Sequence, residues 1–495
     1  MASNGLKSIA YIENLSLEDS ELTELCEQAM DWSHTHGFVL RPDEYKDRSD
    51  YAQFCPMTLF PSPFPRQLFE EAANVQKLSS ELYFKVAYDF EFLLESLAPV
   101  IETDEFTRKM VDIYKTVHKE GIRQKFSLLL QRADYMPHME GDQLQLKQIE
   151  VNNIAALPAL AERATKLHRY MLNKVGLGDK ATLAKHLPEN LPAKSFAMAV
   201  YGAWKCFGDP EAIVLVVMTK VCHFQYDFRH VEYEIDELSI GQCKSIFLVL
   251  SDCVDRLSLS HDNSLLLDGR NGKKKVSVVY FHSYLDGSSL TERDWDLRLL
   301  IEKSTAIKCP WIGLQLANAK KIQQALGKPD ALERFLDPKS CEQVRRTFAG
   351  QWGLEKDSKE TEVVVREAIT NPHKYVLKPQ MEGGGKNFYG DEIPEKLKAL
   401  SPSEKAAHII QQKLNPMVVK NYMLRPFQQT TLCDVVCELG IYGALLGSKL
   451  DTNNNKDFSI EFNLVEGHML RTKLTDSPEA GIKSGGGVVD SPFLI

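Results

Sequence analysis

Tyr375-Val-Leu-Lys378-Pro-Gln-Met-Glu382-Gly-Gly-Gly385-Lys-Asn-Phe-Tyr389 is the stretch from which the rest of the chain is best read. It starts as an apolar, strand-like run and stops at Lys378, a proline, and then a carboxylate followed by three glycines. Three consecutive glycines cost the folded chain conformational entropy. Such a run is kept where the backbone must come close to something, and bare N–H groups beside a lysine suit a polyphosphate. Glu382 would repel phosphate directly, so a divalent cation between them reconciles the two. An ordinary glycine hairpin tip is the other reading. The flanking Lys378 and Glu382 argue against it.

The bulk properties bound what surrounds this loop. A chain of 495 residues is too long for one hydrophobic core, so two or three lobes are expected. Hydrophobic content of 43% and charged content of 26% belong to a soluble globular protein. A net charge of −9 argues against a nucleic-acid partner, which needs a basic face. No run of about 20 apolar residues predicts a membrane span. The start, Met1-Ala-Ser-Asn, carries no basic-then-apolar signal segment. The ten cysteines lie scattered without CxxC pairs, so reduced thiols in a cytoplasmic setting are expected. Secretion would require a leader trimmed from this sequence. His34 and His36 have metal-like spacing on a strand but no third ligand nearby.

Outward from the loop, hydrophobic spacing sets the organisation. Leu17–His36 reads as an amphipathic helix capped by Asp19 and Ser20 and ended by Gly37. Phe60-Pro-Ser-Pro-Phe-Pro65 cannot be helix and reads as a rigid surface passage. From Arg66 to about Gln131 the period is helical. Leu144–Asn152 switches to period two, which places Glu150 and Asn152 on one face. A carboxylate and an amide oxygen side by side suit Mg2+, and an exposed polar strand end is the other reading. Three apolar runs, Ala212–Met218, Ser245–Leu250 and Val276–Phe281, alternate with helical stretches as buried parallel strands do. Gly269–Lys275 is a turn before the third of them. From Leu290 to Leu336 the pattern is helical, Glu355–Glu367 is charged and exposed, and Gly481–Val488 is a second glycine-rich loop.

The 375–389 stretch resembles the lid loop of eukaryotic glutathione synthetase, a family of ATP-grasp ligases. The resemblance extends over nearly the whole chain, through Arg132-Ala-Asp-Tyr-Met136, Lys147-Gln-Ile-Glu-Val-Asn152, Lys308-Cys-Pro310, Lys320-Lys321, Glu438-Leu-Gly-Ile-Tyr442 and Leu470-Arg-Thr-Lys473. It implies an α/β (α+β) ATP-grasp fold with a helical N-terminal layer, a parallel-sheet substrate domain and a lid domain. Residues 1–205 would form the first part of the main domain, 206–305 the substrate domain and 306–495 the remainder, with the lid at about 370–430. It also implies a homodimer, ATP as co-substrate, two Mg2+ ions, and activation of a carboxylate as an acyl phosphate that an amine then displaces.

By the same resemblance Glu150, Asn152 and Glu382 fall on metal ligands. Met136, Lys320, Lys378, Glu382, Gly383, Gly384, Gly385, Asn387, Tyr389, Gln411, Gln412, Lys413, Leu414, Glu438, Lys473 and Glu479 fall on nucleotide positions. Arg132, Lys378 and Arg471 fall on catalytic positions. Arg132 and Arg471 also reach substrate carboxylate, as permanently charged, bidentate guanidinium groups do. Phosphoryl transfer asks mainly for positioning and charge neutralisation, so no nucleophilic triad is expected.

The substrate half departs from the family pattern. A serine-rich run that binds γ-glutamylcysteine is replaced by Asn153-Ile-Ala-Ala-Leu-Pro, with Ala155 and Leu157 in the place of hydroxyls. Phe224 and Phe228 stand where Asn and Gln are expected, unless nearby Gln225 or Asp227 takes over. His282 stands for an arginine, and Tyr284 or Leu285 for a tyrosine. Ile482 and Lys483 replace two small residues over the amino-acid acceptor. Each lost polar partner in a buried site costs about 1–3 kcal/mol. An apolar donor wall and a changed substrate, or weakened glutathione synthesis, are the expectation. The competing expectation is a catalytically weak relative that binds nucleotide or a thiol ligand and acts through partners.

Overall fold

The computed structural model describes residues 11–219, 222–270, 272–282, 290–355, 358–380, 387–450, 457–482 and 485–495. Its centre is a seven-stranded sheet in the order Val418–Leu424, Met57–Thr58, Gly487–Asp490, Phe458–Leu474, Leu432–Lys449, Ser127–Glu140 and Gln143–Asn152. Leu432–Lys449 and Phe458–Leu474 pair antiparallel along most of their length. Apolar side chains on both faces of this sheet explain its central position. One face joins a core with the helices Pro158–Lys174 and Pro192–Phe207, the other a core with Arg66–Tyr88, Phe90–Ile101 and Glu105–Glu120.

Local chemistry starts and stops these helices. Asp89 accepts the Phe92 backbone N–H at 3.0 Å and Asp104 accepts that of Thr107 at 3.0 Å, each satisfying an orphan donor of a first turn. The helix Asp19–Thr35 is capped by Glu18 and Glu21 rather than by Asp19 and Ser20. His34 and His36 sit at its end, where His36 stacks on Trp32, so neither lies on a strand.

Three further expectations change. The helices after Arg66 end at Glu120, and a strand begins at Ser127, before Gln131, because the apolar run Leu128–Leu130 enters the central sheet. The proline-rich passage is buried: Phe60 and Phe64 are 0% exposed, and Ser62–Phe64 pairs with Pro492–Leu494. Proline lacks a donor but not an acceptor, so this short strand still joins a two-stranded edge. The helical region after Leu290 is broken by the strand Ile307–Cys309, which pairs parallel with Gly272–Phe281.

A second sheet holds Ser245–Val249, Ile213–Met218 and Gly272–Phe281 in parallel, with Leu265–Gly269 and Leu257–Leu259 added antiparallel. Ile213–Met218 is buried throughout, whereas Ser245–Val249 is an edge strand and only half-buried. A third sheet, Gln351–Gly353, His408–Gln412, Tyr375–Pro379 and Phe388–Tyr389, is packed by Lys359–Thr370 and Glu392–Ala399 around its own small core. Val418–Leu424 belongs to the central sheet, not to this smaller one.

Candidate active site

The edge strand Gln143–Asn152 carries one extra residue. Asp134 pairs with Glu150 and Tyr135 with Gln148, which leaves Ile149 unpaired in a bulge. The bulge has two effects. It sets the face that Glu150 and Asn152 share by alternation, where the Asn152 amide nitrogen lies 3.4 Å from a Glu150 oxygen. It also releases the Ile149 carbonyl, which accepts Lys378 Nζ at 3.4 Å and Gln411 Nε2 at 3.3 Å. The smaller sheet is thereby tied to the central one at the point where the two glycine loop flanks begin.

Asp134 is the node of the charged cluster. Its carboxylate accepts Arg132 Nε at 2.6 Å, Arg132 NH2 at 2.9 Å, Arg471 NH2 at 2.9 Å and the Asn152 amide at 3.0 Å. Arg471 also lies 2.9 Å from Glu438 and 3.8 Å from Glu150. Gly440 makes room for this arrangement. A Cβ there would stand 2.7 Å from Arg132 Cδ and 2.8 Å from Asp134 Oδ1. Arg132 therefore lies flat across the Glu438-Leu-Gly-Ile-Tyr442 strand.

Charge sets the protonation states. Burial would raise the Glu150 carboxyl, but Arg471, Lys320, Lys378 and Arg132 outweigh it and hold it at about 2. Glu150 keeps 29% of its side chain exposed, so it is an ionised carboxylate presented to the cleft. Burial lowers Lys378 to about 8 despite Glu150. Burial likewise lowers Lys473, whose ammonium donates to the Pro478 carbonyl at 2.7 Å. Burial opposes the charge of Arg132 and Arg471, yet Asp134 beside them raises both.

The remaining sequence-derived nucleotide positions gather around these groups. Asn387 donates to Glu479 at 2.9 Å and lies 3.4 Å from the Tyr389 hydroxyl, which burial, and then Glu479, raises. Gln411, Gln412, Lys413 and Leu414 run along and past the His408–Gln412 strand; Gln412 meets Gly350, and the Lys413 N–H reaches the Lys374 carbonyl. Met136 is buried two residues beyond Asp134. Gly486 and Gly487 wrap so closely over Glu479 and Ala480 that a Cβ on either would meet a carbonyl within 2.4 Å.

The two adjacent lysines part company. Lys320 contributes to the field at Glu150 and Lys378. Lys321 is 2% exposed and paired with Glu355 at 2.5 Å, a structural ion pair. Lys308, from the Lys-Cys-Pro motif, is buried and donates to the carbonyls of Glu302 and Ser304.

On the donor side Ala155, Leu157, Phe228 and Ile482 are buried in one core, with Phe224 packed half-exposed against it. His282 is 5% exposed beside Phe228. Glu382, Gly383, Gly384, Gly385, Lys483, Tyr284 and Leu285 lie outside the described residues.

Two buried carboxyl groups hold roles that the sequence reading did not give them. Asp134 sits in the quoted Arg132–Met136 motif, and its two-residue spacing from Arg132 on a strand is the signal that marks it as a counter-ion. Asp227, considered only as a substitute for the lost polar contacts, instead accepts the N–H groups of Leu157, Ala159 and Leu160.

Among the described residues no three His, Cys, Asp or Glu side chains form a ready cage for a metal. Mg2+ does not need one, since it is usually held by one or two protein oxygens together with phosphates and water. An ionised Glu150 beside Asn152 fits that requirement.

A family model for the ATP-binding domain of eukaryotic glutathione synthase matches residues 19–494. The chain belongs to the eukaryotic glutathione synthase family. It is 36% identical to glutathione synthetase of Rattus norvegicus over 97% of this chain and 98% of that one. It is 35% identical to glutathione synthetase of Homo sapiens over 97% of this chain and 99% of that one. Among solved structures it is similar to a glutathione synthetase-like effector from Globodera pallida in apo form, with a TM-score of 0.77 and 31% identity over 97% and 99% of the two chains. The α/β architecture is thus of the ATP-grasp type. By family the chain is an ATP-dependent carboxylate–amine ligase of the glutathione synthase type, with ATP as co-substrate.

Proposed function

We propose that this chain joins a dipeptide-like carboxylic acid to the amine of an amino acid through an acyl phosphate, with a donor pocket altered from that of γ-glutamylcysteine. The donor carboxylate oxygen attacks the γ-phosphorus of ATP and ADP departs. The amine then attacks the acyl carbon, phosphate leaves, and the amine proton is released. Lys320, Lys378 and Lys473 position the polyphosphate, with Asn387, Tyr389, Glu438, Glu479 and the 411–414 segment around the nucleoside. Glu150 and Asn152, with Glu382, would hold Mg2+, which neutralises charge on the transferring oxygens. Arg132 and Arg471 hold the donor carboxylate and stabilise the charge that builds on it.

The observation that carries this reading is the convergence, in a chain of this family, of Glu150 with Asn152 at 3.4 Å and Arg471 at 3.8 Å beside the strand end that Lys378 reaches. A site abandoned by its chemistry has no reason to hold this arrangement. A homodimer and a cytoplasmic setting with reduced thiols complete the proposal; all ten cysteines are free, and among the described residues no helix is long and apolar enough to cross a membrane. Phosphate release from ATP and Mg2+ with a panel of acids and amines, γ-glutamylcysteine and glycine included, tests it. Turnover with none would leave the nucleotide-binding, partner-dependent alternative.

A further inference from the structure

Residues 413–417 carry the backbone from the smaller sheet into the central one, between His408–Gln412 and Val418–Leu424. The first two of them belong to the stretch proposed to meet the nucleoside. The last three lie against the far end of the strand Ser127–Glu140, just past Met136. There the Met139 N–H donates to the Asn415 carbonyl at 2.8 Å and the Met417 N–H to the Pro137 carbonyl at 3.2 Å. His138 faces Pro416 across an isolated antiparallel bridge.

One bond of this junction depends on a titratable side chain. His138 is 6% exposed, and its Nδ1 accepts the Asn415 backbone N–H at 2.9 Å. An imidazole nitrogen accepts a hydrogen bond only when it carries no proton, so the bond requires the neutral ring with its hydrogen on Nε2. A proton on Nδ1 would set one N–H against another. Burial lowers the pKa of His138 from its ordinary value of 6.5 and favours the neutral ring. The charged groups facing it oppose each other. Glu140, on the same strand, favours the imidazolium, and Lys147, on the neighbouring strand Gln143–Asn152, disfavours it. The bond is therefore intact at pH 7 and is lost on the acid side of the histidine range.

We infer that His138 is a positioning residue for the nucleotide: its Nδ1 latches the crossover at Asn415 to the central sheet, holds the 411–414 backbone in place, and lets go when the ring gains a proton. The inference deepens the ligase reading above, on which the nucleotide role of residues 411–414 rests. Calorimetry of the full chain with Mg2+ and a non-hydrolysable ATP analogue, between about pH 5 and about 7.5, spans the titration. His138→Gln keeps an acceptor that does not titrate, and His138→Ala has none. At the neutral end His138→Gln is expected to bind as the wild type does and His138→Ala about fivefold more weakly, the loss of one hydrogen bond. Toward acid the wild type should fall to the level of His138→Ala while His138→Gln stays above both. Protonation of the nucleotide is common to the three proteins and cancels in the comparison. Equal affinities at neutral pH, or a Gln variant that follows the wild type into acid, overturns the inference. Hydrogen exchange of the nucleotide-free wild type reads the latch without any substitution. The Asn415 amide, corrected for its intrinsic rate, is expected to lose protection as pH falls, and constant protection overturns the latch. A wild type that binds no nucleotide at any pH would instead sink the ligase reading and the positioning role with it, while exchange still decides whether the latch exists.

Discussion

Two walls of one cleft are built on opposite principles. The reaction-centre wall gathers Arg132, Arg471, Lys320, Lys378, Asp134, Glu150 and Glu438, with the carboxylates set among the cations. The second-lobe wall buries Leu157, Phe228, Tyr280 and His282 and commits Asp227 to backbone N–H groups. The first wall suits phosphoryl transfer, in which charge must be met by fixed charge. The second commits its polar groups to the backbone and to one another. If the proposed roles hold, the charged wall and the second-lobe wall are separate surfaces, and substitutions can address one without the other.

The sharpest way to break this contrast is to remove the node of the charged wall. Asp134 is 1% exposed and serves both arginines. Asp134→Ala leaves two buried cations short of a partner, a loss of about 3–5 kcal/mol in stability. A urea midpoint well below wild type, with phosphate release abolished, is expected. A wild-type midpoint would show that the arginines find other partners.

Gly440→Ala probes the same wall by geometry alone. The new methyl would press on Arg132 Cδ and Asp134 Oδ1, tilting the guanidinium off the strand. A displacement of about 1 Å near a reaction centre costs about 100-fold in rate. The expected result is a fall in kcat of that order, with nucleotide affinity little changed because the lysines lie elsewhere. A fall in affinity instead would place Arg132 in nucleotide binding.

A pH series sharpens the comparison further. Lys378 sits at about 8 in the folded chain against 10.5 for the free side chain. The unfolded chain thus binds more protons between these values, so stability rises with pH across that window while the charge proposed to hold polyphosphate is lost. ATP affinity should fall as pH passes about 8, and Lys378→Arg should flatten that fall. Glu150 acts in the same direction in an acid window: its contribution is complete above about 4.5 and disappears as pH falls toward about 2. Titrations by calorimetry and by urea unfolding separate the two.

The sequence made the charged wall far more legible than the neutral one. Period-two alternation placed Glu150 beside Asn152 correctly, because polar side chains on a half-exposed edge strand follow the pleat. The bulge at Ile149, which makes a backbone carbonyl an acceptor for Lys378, left no mark in residue type. Asp134 was visible only as a neighbour of Arg132, since an internal counter-ion looks like any other acid until its partners from residues 152 and 471 are known. The burial of Phe60–Pro65 was illegible because proline signals the loss of helix, not exposure. On the donor side, Phe224 and Phe228 read alike in sequence. They diverge in space: Phe228 is enclosed by Tyr280 and Phe247, while Phe224, ahead of the Gln225–Ser239 helix, stays half-exposed.

The mildest test concerns the seam between the smaller sheet and the second glycine loop. Asn387 donates to Glu479 at 2.9 Å and lies beside the Tyr389 hydroxyl, so it joins a strand of one layer to a loop of the other. Asn387→Ala removes this link without placing bulk in the site. A hydrogen bond to a charged acceptor contributes about 1.5–3 kcal/mol, less where water can replace it, and both partners here are half-exposed. A several-fold rise in the KM for ATP at unchanged kcat is expected, because the bond orders the nucleotide cover and touches no reacting atom. Were kcat to fall instead, Asn387 would belong with Arg132 and Arg471 at the transferring phosphoryl group, and the charged wall would extend across the seam into the smaller sheet.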